Sequence, residues 1–385
     1  MDRTYLDNAA TSFPKPEAVY RAVEDYQRRL GAAAGRGGYA SAGEAGGIVD
    51  RARLNLARLF GAERGSRFAF ALNGTDALNM AIHGLVRPGD HVVATAAEHN
   101  SVLRPLRARA DHGADVTIVD VDESGRVDVD AVREALRPET RLLAATHASN
   151  VTGAIQPVRE LAELTRERSI LMLLDAAQTA GHVPIDLKTL PVDLMACSGH
   201  KGLLGPLGTG ILYVRPGVEE RLISTRQGGT GTRSESDRQP ETMPDLLEAG
   251  NLNVAGIAGL EAGTAWLLER GVERIERNIH ELSELLIEGL RRLPGVTIWG
   301  IAGVEARVGV VSVTARDWSP ADLSSVLDAE FGMETRAGLH CAPRMHERLG
   351  TAATGGTLRV SLGALSRRED VERFLEGMAA VGLGT

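Results

Sequence analysis

The stretch "MACSGHKGLLGPLGTGILYV", residues 195–214, carries a single lysine, Lys201, in a run dominated by glycine, small and apolar residues. Burying an ammonium group is costly, so the segment either exposes Lys201 on a loop or holds it in a dry pocket for a chemical reason. Its own pattern is strand, glycine-rich turn, strand: "VDLMACS" (192–198) leads in and "GILYV" (210–214) leads out. Upstream lie further runs rich in β-branched or aliphatic residues, "RFAFAL" (67–72), "HVVATA" (91–96), "DVTIVDV" (115–121), "RLLAATH" (141–147) and "ILMLLDAA" (170–177). Several are apolar throughout, as strands covered on both faces must be. Between them "TDALNMAIHGLV", "SVLRPLRARADHG", "DVDAVREAL" and "PVRELAELTRERS" place apolar residues at helical spacing. The alternation predicts an α/β fold built on a doubly wound, mainly parallel sheet of seven strands between helices.

Downstream, residues 225–256 are glycine-rich, polar and too irregular for a strand or helix, which reads as a functional loop or a domain joint. The helical patterns "AGIAGLEAGTAWLLERG" and "VERIERNIHELSELLIEGLRRL", the strands "VTIWG" and "VGVVSVTA", and a last helix from "RREDVERFLEGMAAV" then form a smaller α+β unit. The expected division is a large domain over 1–250 and a small one over 251–385, with about the first 15 residues packing with the small one.

At 385 residues, 43% hydrophobic and 24% charged, the chain has globular composition and length for a large core. A formal charge of −8 argues against nucleic acid or an anionic membrane surface and favours a small-molecule substrate. The N-terminus lacks the pattern of an export signal, and no apolar run reaches the ~18 residues of a membrane span, so a cytoplasmic location is expected. Cys197 and Cys341 are too few for a disulfide framework and lack the CxxC spacing of zinc sites, and the histidines are scattered. No metal is expected.

Ligands of such sheets bind beyond the carboxyl ends of the strands. "RFAFAL" runs into Asn73, Gly74, Thr75 and Asp76, a phosphate cup at a helix start or a plain helix cap by Thr75 or Asp76. "ILMLLD" ends in Asp175, a carboxylate that needs a cation, a metal or a protonated heterocycle, or else caps the next helix. His99 follows "HVVATAAE", Asn150 follows "RLLAATHAS", and Lys201 follows "VDLMACSGH". Singly each has a bland reading; together, on one rim, they fit pyridoxal 5'-phosphate. That cofactor takes a lysine amine for its aldehyde, a carboxylate for its ring nitrogen, a helix start for its phosphate and a flat group against its ring. Lys201 becomes the attachment lysine, with Ser198 and His200 reaching the phosphate. Neither GxxxxGK[ST] nor a GxGxxG in strand-to-helix context occurs, so nucleotide binding is poorly supported.

At these residues the chain resembles the class V aminotransferase superfamily of fold-type I pyridoxal phosphate enzymes, and within it the cysteine desulfurases. The matching segments run in family order over nearly the whole chain: "YLDNAATSFPKPEAV", "NGTDALN", "EHNSVL", "HASNVTGAIQPV", "DAAQTAGHVPIDL", "SGHKGLLGPLGTG", "EAGNLN", "RAGLHCAP" and "LRVSLG". A cysteine in "RAGLHCAP" resembles the SufS-like group with a short active-site loop. The resemblance implies His99 stacked on the pyridine, Asp175 at its nitrogen, Gln178 on its phenolic oxygen, and Gly74, Thr75, Ser198 and His200 on the phosphate. It implies Asn150, Arg359 and Arg336 toward the substrate, and Cys341 as sulfur acceptor. It further implies a homodimer in which "GGTGT" (228–232) and "EAGN" (248–251) reach the partner's site, and a sulfur-acceptor protein, as in the mobilisation of sulfur for iron–sulfur clusters. Asn251 departs from the pattern, standing where the family has a threonine for the partner's phosphate.

The implied reaction converts L-cysteine to L-alanine and leaves a persulfide on Cys341, whose thiol needs help from His340, Arg336 or the bound substrate. A lone cysteine is more commonly a buried small hydrophobe, a reading that the loop-like neighbours of Cys341 weaken and that suits Cys197. Two other readings stand beside this one: a selenocysteine lyase or another C–S lyase or aminotransferase of the superfamily, and a non-catalytic dimeric binding or regulatory protein.

Overall fold

A computed structural model of the chain describes residues 3–35 and 37–382. The strands are β1 (Thr4–Tyr5), β2 (Phe68–Ala71), β3 (His91–Thr95), β4 (Asp115–Val119), β5 (Thr140–Thr146), β6 (Leu171–Asp175), β7 (Leu194–Ser198), β8 (Gly210–Val214), β9 (Val296–Trp299), β10 (Val310–Ala315), β11 (Met333–Glu334), β12 (Arg336–Gly338) and β13 (Thr357–Ser361). The α-helices are α1 (Glu17–Asp25), α2 (Ala40–Leu59), α3 (Gly74–Leu85), α4 (Asn100–Ala110), α5 (Val129–Ala135), α6 (Val158–Glu167), α7 (Val254–Arg270), α8 (Val272–Arg291), α9 (Pro320–Phe331), α10 (Pro343–Arg348) and α11 (Arg368–Ala380).

The seven apolar runs of the sequence form one sheet in the order β2-β8-β7-β6-β5-β3-β4. Pairings from β7 to β4 are parallel, and β8 is antiparallel to both its neighbours. Parallel strands need crossover helices, and these cover both faces. Leu78 of α3 and Leu106 of α4 pack on one side; Leu56 of α2, Leu161 of α6 and Leu260 of α7 pack on the other. Every residue of β6, β7 and β8 is buried, which is why those runs show no polar alternation.

Helix α2, twenty residues long, is absent from the sequence expectation. Its inward stripe is largely Ala42, Ala45, Val49 and Ala52, small side chains that carry little periodic signal but let the helix lie close to α7.

A second sheet, β12-β13-β10-β9, is antiparallel and is covered by α8, α9 and α11 through Leu286, Leu323 and Phe374. The N-terminal stretch lies beside it: β1 and β11 form a separate two-stranded parallel sheet, and Asp7 bridges Ser361 at the end of β13. Among the described residues no helix is long and apolar enough to cross a membrane.

Candidate active site

Because β2, β3, β5, β6 and β7 point the same way, the residues just past their carboxyl ends meet on one rim. Gly74, Thr75, His99, Asn150, Asp175, Gln178, Ser198, His200 and Lys201 all line a single cavity of about 260 Å³. Arg336, Arg359 and Cys341 stand beside it without lining it. Asn251 is exposed and lines a different, smaller cavity with Thr209 and Arg226.

At the β2 end, Asn73 caps α3, its Oδ1 accepting from Asp76 N at 2.9 Å, a contact worth about 1 kcal/mol. The cap is therefore Asn73, neither Thr75 nor Asp76, and the cup survives beside it. Gly74 N donates to Ser198 Oγ at 3.2 Å, and a Cβ on Gly74 would come within 2.6 Å of that oxygen. Thr75 Oγ1 pairs with Ser101 Oγ at 2.7 Å. His200 Nδ1 is buried without a partner, and burial, with Lys201 and Lys15 adding to it, lowers the ring pKa to about 4. A neutral ring, a hydroxyl pair and a helix start converge there, an arrangement suited to an anion.

Asp175 ends β6 deep in the protein. Its Oδ1 accepts from Ala177 N at 2.9 Å, and burial raises its pKa against the opposing pull of that amide and of Lys201. It both caps a turn and lacks a full counter-charge, so a protonated heterocycle would find its partner here. Lys201 is its mirror: burial lowers the amine to about 8, with Asp175 opposing the fall. His99 caps α4, Nδ1 accepting from Ser101 N at 3.0 Å, which leaves the ring proton on Nε2. Burial, then Lys201, drives its pKa to about 4, so the ring that lines the cavity is neutral. Gln178 Nε2 donates to Ala9 O at 3.2 Å.

Cys341 lies on the turn after β12. His340 and Cys341 both adopt left-handed backbone, with φ of 48° and 60°, a conformation that costs non-glycine residues and persists where surroundings enforce it. Asn150 Nδ2 donates to His340 O at 2.6 Å and Asn100 N to Cys341 O at 2.8 Å, so residues of the cavity rim hold the turn. The thiol is exposed, with Arg336 Nη2 3.7 Å from Sγ. His340 offers it no charge: its Nε2 faces Thr357 O and Oγ1, and burial followed by Arg359 keeps the ring neutral. Arg336 is the cation at the sulfur. Cys197 is fully buried in β7, and burial pushes its thiol far above the usual range.

Arg359, buried in β13 opposite Arg336, donates to Asp7 Oδ1 at 2.5 Å and to Asn150 O at 3.2 Å, while its Nε has no partner. Asp7 went unread in the sequence, as did Ser101, which joins Thr75 to His99. Glu98 was also missed. It is fully buried, accepts from Thr95 Oγ1 at 2.6 Å and Thr146 N at 2.9 Å, and burial raises its pKa to about 8. A carboxylate in "ATAAEHN" is the same signal that marks Asp175. Glu248 of "EAGN" turns inward, paired with Arg53 at 2.6 Å and accepting from Phe70 N at 2.7 Å.

Residues 4–374 match the family model described as Aminotransferase class-V. The "Probable cysteine desulfurase" of Methanothermobacter thermautotrophicus is 34% identical over 99% of this chain and 96% of its own length. Among solved structures, the apo cysteine desulfurase of Thermococcus onnurineus NA1 superposes with a TM-score of 0.92 at 31% identity, covering 98% of this chain and 94% of that one. The Escherichia coli cysteine desulfurase CsdA, in an S-sulfonic acid form, superposes at 0.89 with 29% identity, covering 99% and 96%. With a nearly full-length family match and relatives that share its fold end to end, the chain belongs to the class-V aminotransferase family.

Proposed function

We propose that the chain is a cysteine desulfurase that binds pyridoxal 5'-phosphate and moves the sulfur of L-cysteine onto Cys341, leaving L-alanine. The observation that carries this reading is the sharing of one cavity by a lysine of lowered basicity, a buried carboxylate and an anion cup, with an exposed cysteine strapped to its rim by Asn150. The residues fit the cofactor. A Cβ at Gly74 would close the cradle, the unpartnered His200 Nδ1 has a use at a phosphate, and Asp175 lacks the cation that a protonated ring nitrogen supplies. Lys201 would carry its aldehyde, Gly74, Thr75, Ser198 and His200 its phosphate, Asp175 its nitrogen, Gln178 its phenolic oxygen and His99 its ring face. Bound there, the cofactor supplies an electron-poor ring that takes up the charge left when the substrate Cα loses a proton.

The chain's own groups do the rest. Burial lowers the Lys201 amine to about 8, which gives it a neutral fraction near neutral pH that an ordinary lysine lacks, so Lys201 is a competent nucleophile and then a base for the Cα proton. Asp175, made anionic by its cationic partner, keeps that partner protonated. Arg359, oriented by Asp7 and with Nε free, grips the substrate carboxylate together with Asn150. The Cys341 sulfur attacks the substrate sulfur beside Arg336. The S–S bond forms as the C–S bond breaks, its electron pair goes to the substrate Cβ, Cβ takes a proton from solvent, and Lys201 returns the proton it took to Cα. An acceptor thiol then collects the outer sulfur.

The reading includes a homodimer in which residues 228–232, mostly exposed, and Asn251 approach the partner's cavity. It also places the work in the cytoplasm, where two free thiols suit a reducing compartment. The test is alanine release from L-cysteine by the purified, cofactor-loaded chain; no alanine would overturn it. Asp175→Asn is expected to keep the visible cofactor band and lose alanine production by roughly 100-fold or more, since a neutral amide no longer holds the ring cation. Near-parent turnover would reduce Asp175 to its turn-capping role.

A further inference from the structure

The N-terminal arm crosses from the small sheet to the lysine segment. Asp7 pairs with Arg359, Ala9 O receives Gln178 Nε2, and the arm ends on the carbonyl of His200, the peptide that precedes Lys201. Four donors converge on that one oxygen: Ser12 N at 3.0 Å, Thr11 Oγ1 at 3.0 Å, Ser12 Oγ at 3.2 Å and Lys15 Nζ at 3.2 Å. A carbonyl has two lone pairs, so this crowding marks a peptide held far more firmly than chain connectivity requires. Lys15 is the charged member. Its ammonium has three hydrogens to give, and it reaches Ser12 O at 3.0 Å, Ser12 Oγ at 2.8 Å and the His200 carbonyl.

We propose that Lys15 is a positioning residue for Lys201: its ammonium clamps the His200–Lys201 peptide, and its charge acts on the groups that hold the cofactor while its side chain touches neither cofactor nor substrate. The inference rests on the cofactor reading above. Lys15 already bears on this region electrically, since its charge adds to the lowering of the His200 pKa. Burial brings its own amine to about 8, so it is cationic below that pH. On its outer side it shares a groove with Arg3, Glu24 and Arg28. The groups facing Lys201 are Asp175 from β6, Arg336 from β12, Arg359 from β13 and Asp7 from the arm, with neutral His99 and His200 alongside.

The experiment compares the cofactor-loaded full chain with Lys15→Gln, Lys15→Arg and Ser12→Ala, with Lys201→Ala as control. It reads the cofactor dissociation constant, the pH midpoint of the visible cofactor band and the melting temperature. Lys15→Gln is expected to weaken cofactor binding about tenfold, the worth of one charge-assisted hydrogen bond. It should also raise the band midpoint by roughly half a unit, because removing a neighbouring positive charge favours the protonated nitrogen. Lys15→Arg should restore the midpoint. Ser12→Ala, which takes away one acceptor of Lys15 and one donor to His200 without changing charge, should weaken binding and leave the midpoint in place. A melting temperature that falls with affinity and midpoint unmoved would overturn the inference, as would Lys15→Arg behaving like Lys15→Gln. A parent chain without a band that Lys201→Ala removes overturns the cofactor reading and this inference together, whereas a parent band that Lys15→Gln leaves unmoved overturns only the inference.

Discussion

Cys341→Ser is expected to load cofactor and bind L-cysteine like the parent while its alanine production falls by at least roughly 100-fold, because a hydroxyl in place of the thiol cannot take up the substrate sulfur. The two cysteines make this test clean. Cys341 is exposed on a turn held by Asn150 and Asn100, with a guanidinium at its sulfur; Cys197 is sealed in the core near the end of β7. Cys197→Ser should therefore keep sulfur transfer and lose about 1–3 kcal/mol of stability for placing a hydroxyl among apolar neighbours. Mass spectrometry after brief exposure to L-cysteine should find one added sulfur on the Cys341 peptide of the parent and of Cys197→Ser, and none on Cys341→Ser. Undiminished alanine release by Cys341→Ser, or added sulfur on Cys197 alone, would leave a lyase or aminotransferase of the same family as the better answer.

Lys201→Ala should lose alanine production by roughly a thousandfold or more, since attachment and the Cα base vanish with one side chain. The fold should persist, because the change is confined to a cavity wall. Borohydride reduction of the loaded parent should fix the cofactor's mass to the peptide holding Lys201, and in Lys201→Ala to no peptide. Attachment requires the neutral amine, so its initial rate on the cofactor-free parent should rise as pH increases through about 8, the value to which burial lowers Lys201. A cofactor fixed to another lysine in Lys201→Ala would show that the turn after β7 has some other task.

What the sequence by itself determined was whatever depends on near neighbours along the chain. Apolar runs covered on both faces announced the seven strands, and the polar residue at the end of each run announced the rim, because strand direction and crossover geometry send all parallel carboxyl ends to one side. Lys201, Asp175, His99 and Asn150 were legible for that reason, and their convergence in one cavity follows from the strand order. Helix α2 was not, because its buried stripe is mostly alanine, too weakly apolar to stand out from a flexible glycine-rich stretch. Only the tertiary structure decided the partners. Asp7 on Arg359 and Lys15 on the His200 carbonyl join residues 352 and 185 positions apart, and nothing local in "YLDNAATSFPKP" foretells either contact. Likewise the turn of His340 away from Cys341, and the approach of Arg336 to its sulfur, rest on β12 pairing with β13 and on Thr357 offering His340 two acceptors. Periodicity and burial are written residue by residue, whereas the charge on a buried group is set by whichever distant side chains the completed fold brings within a few ångströms.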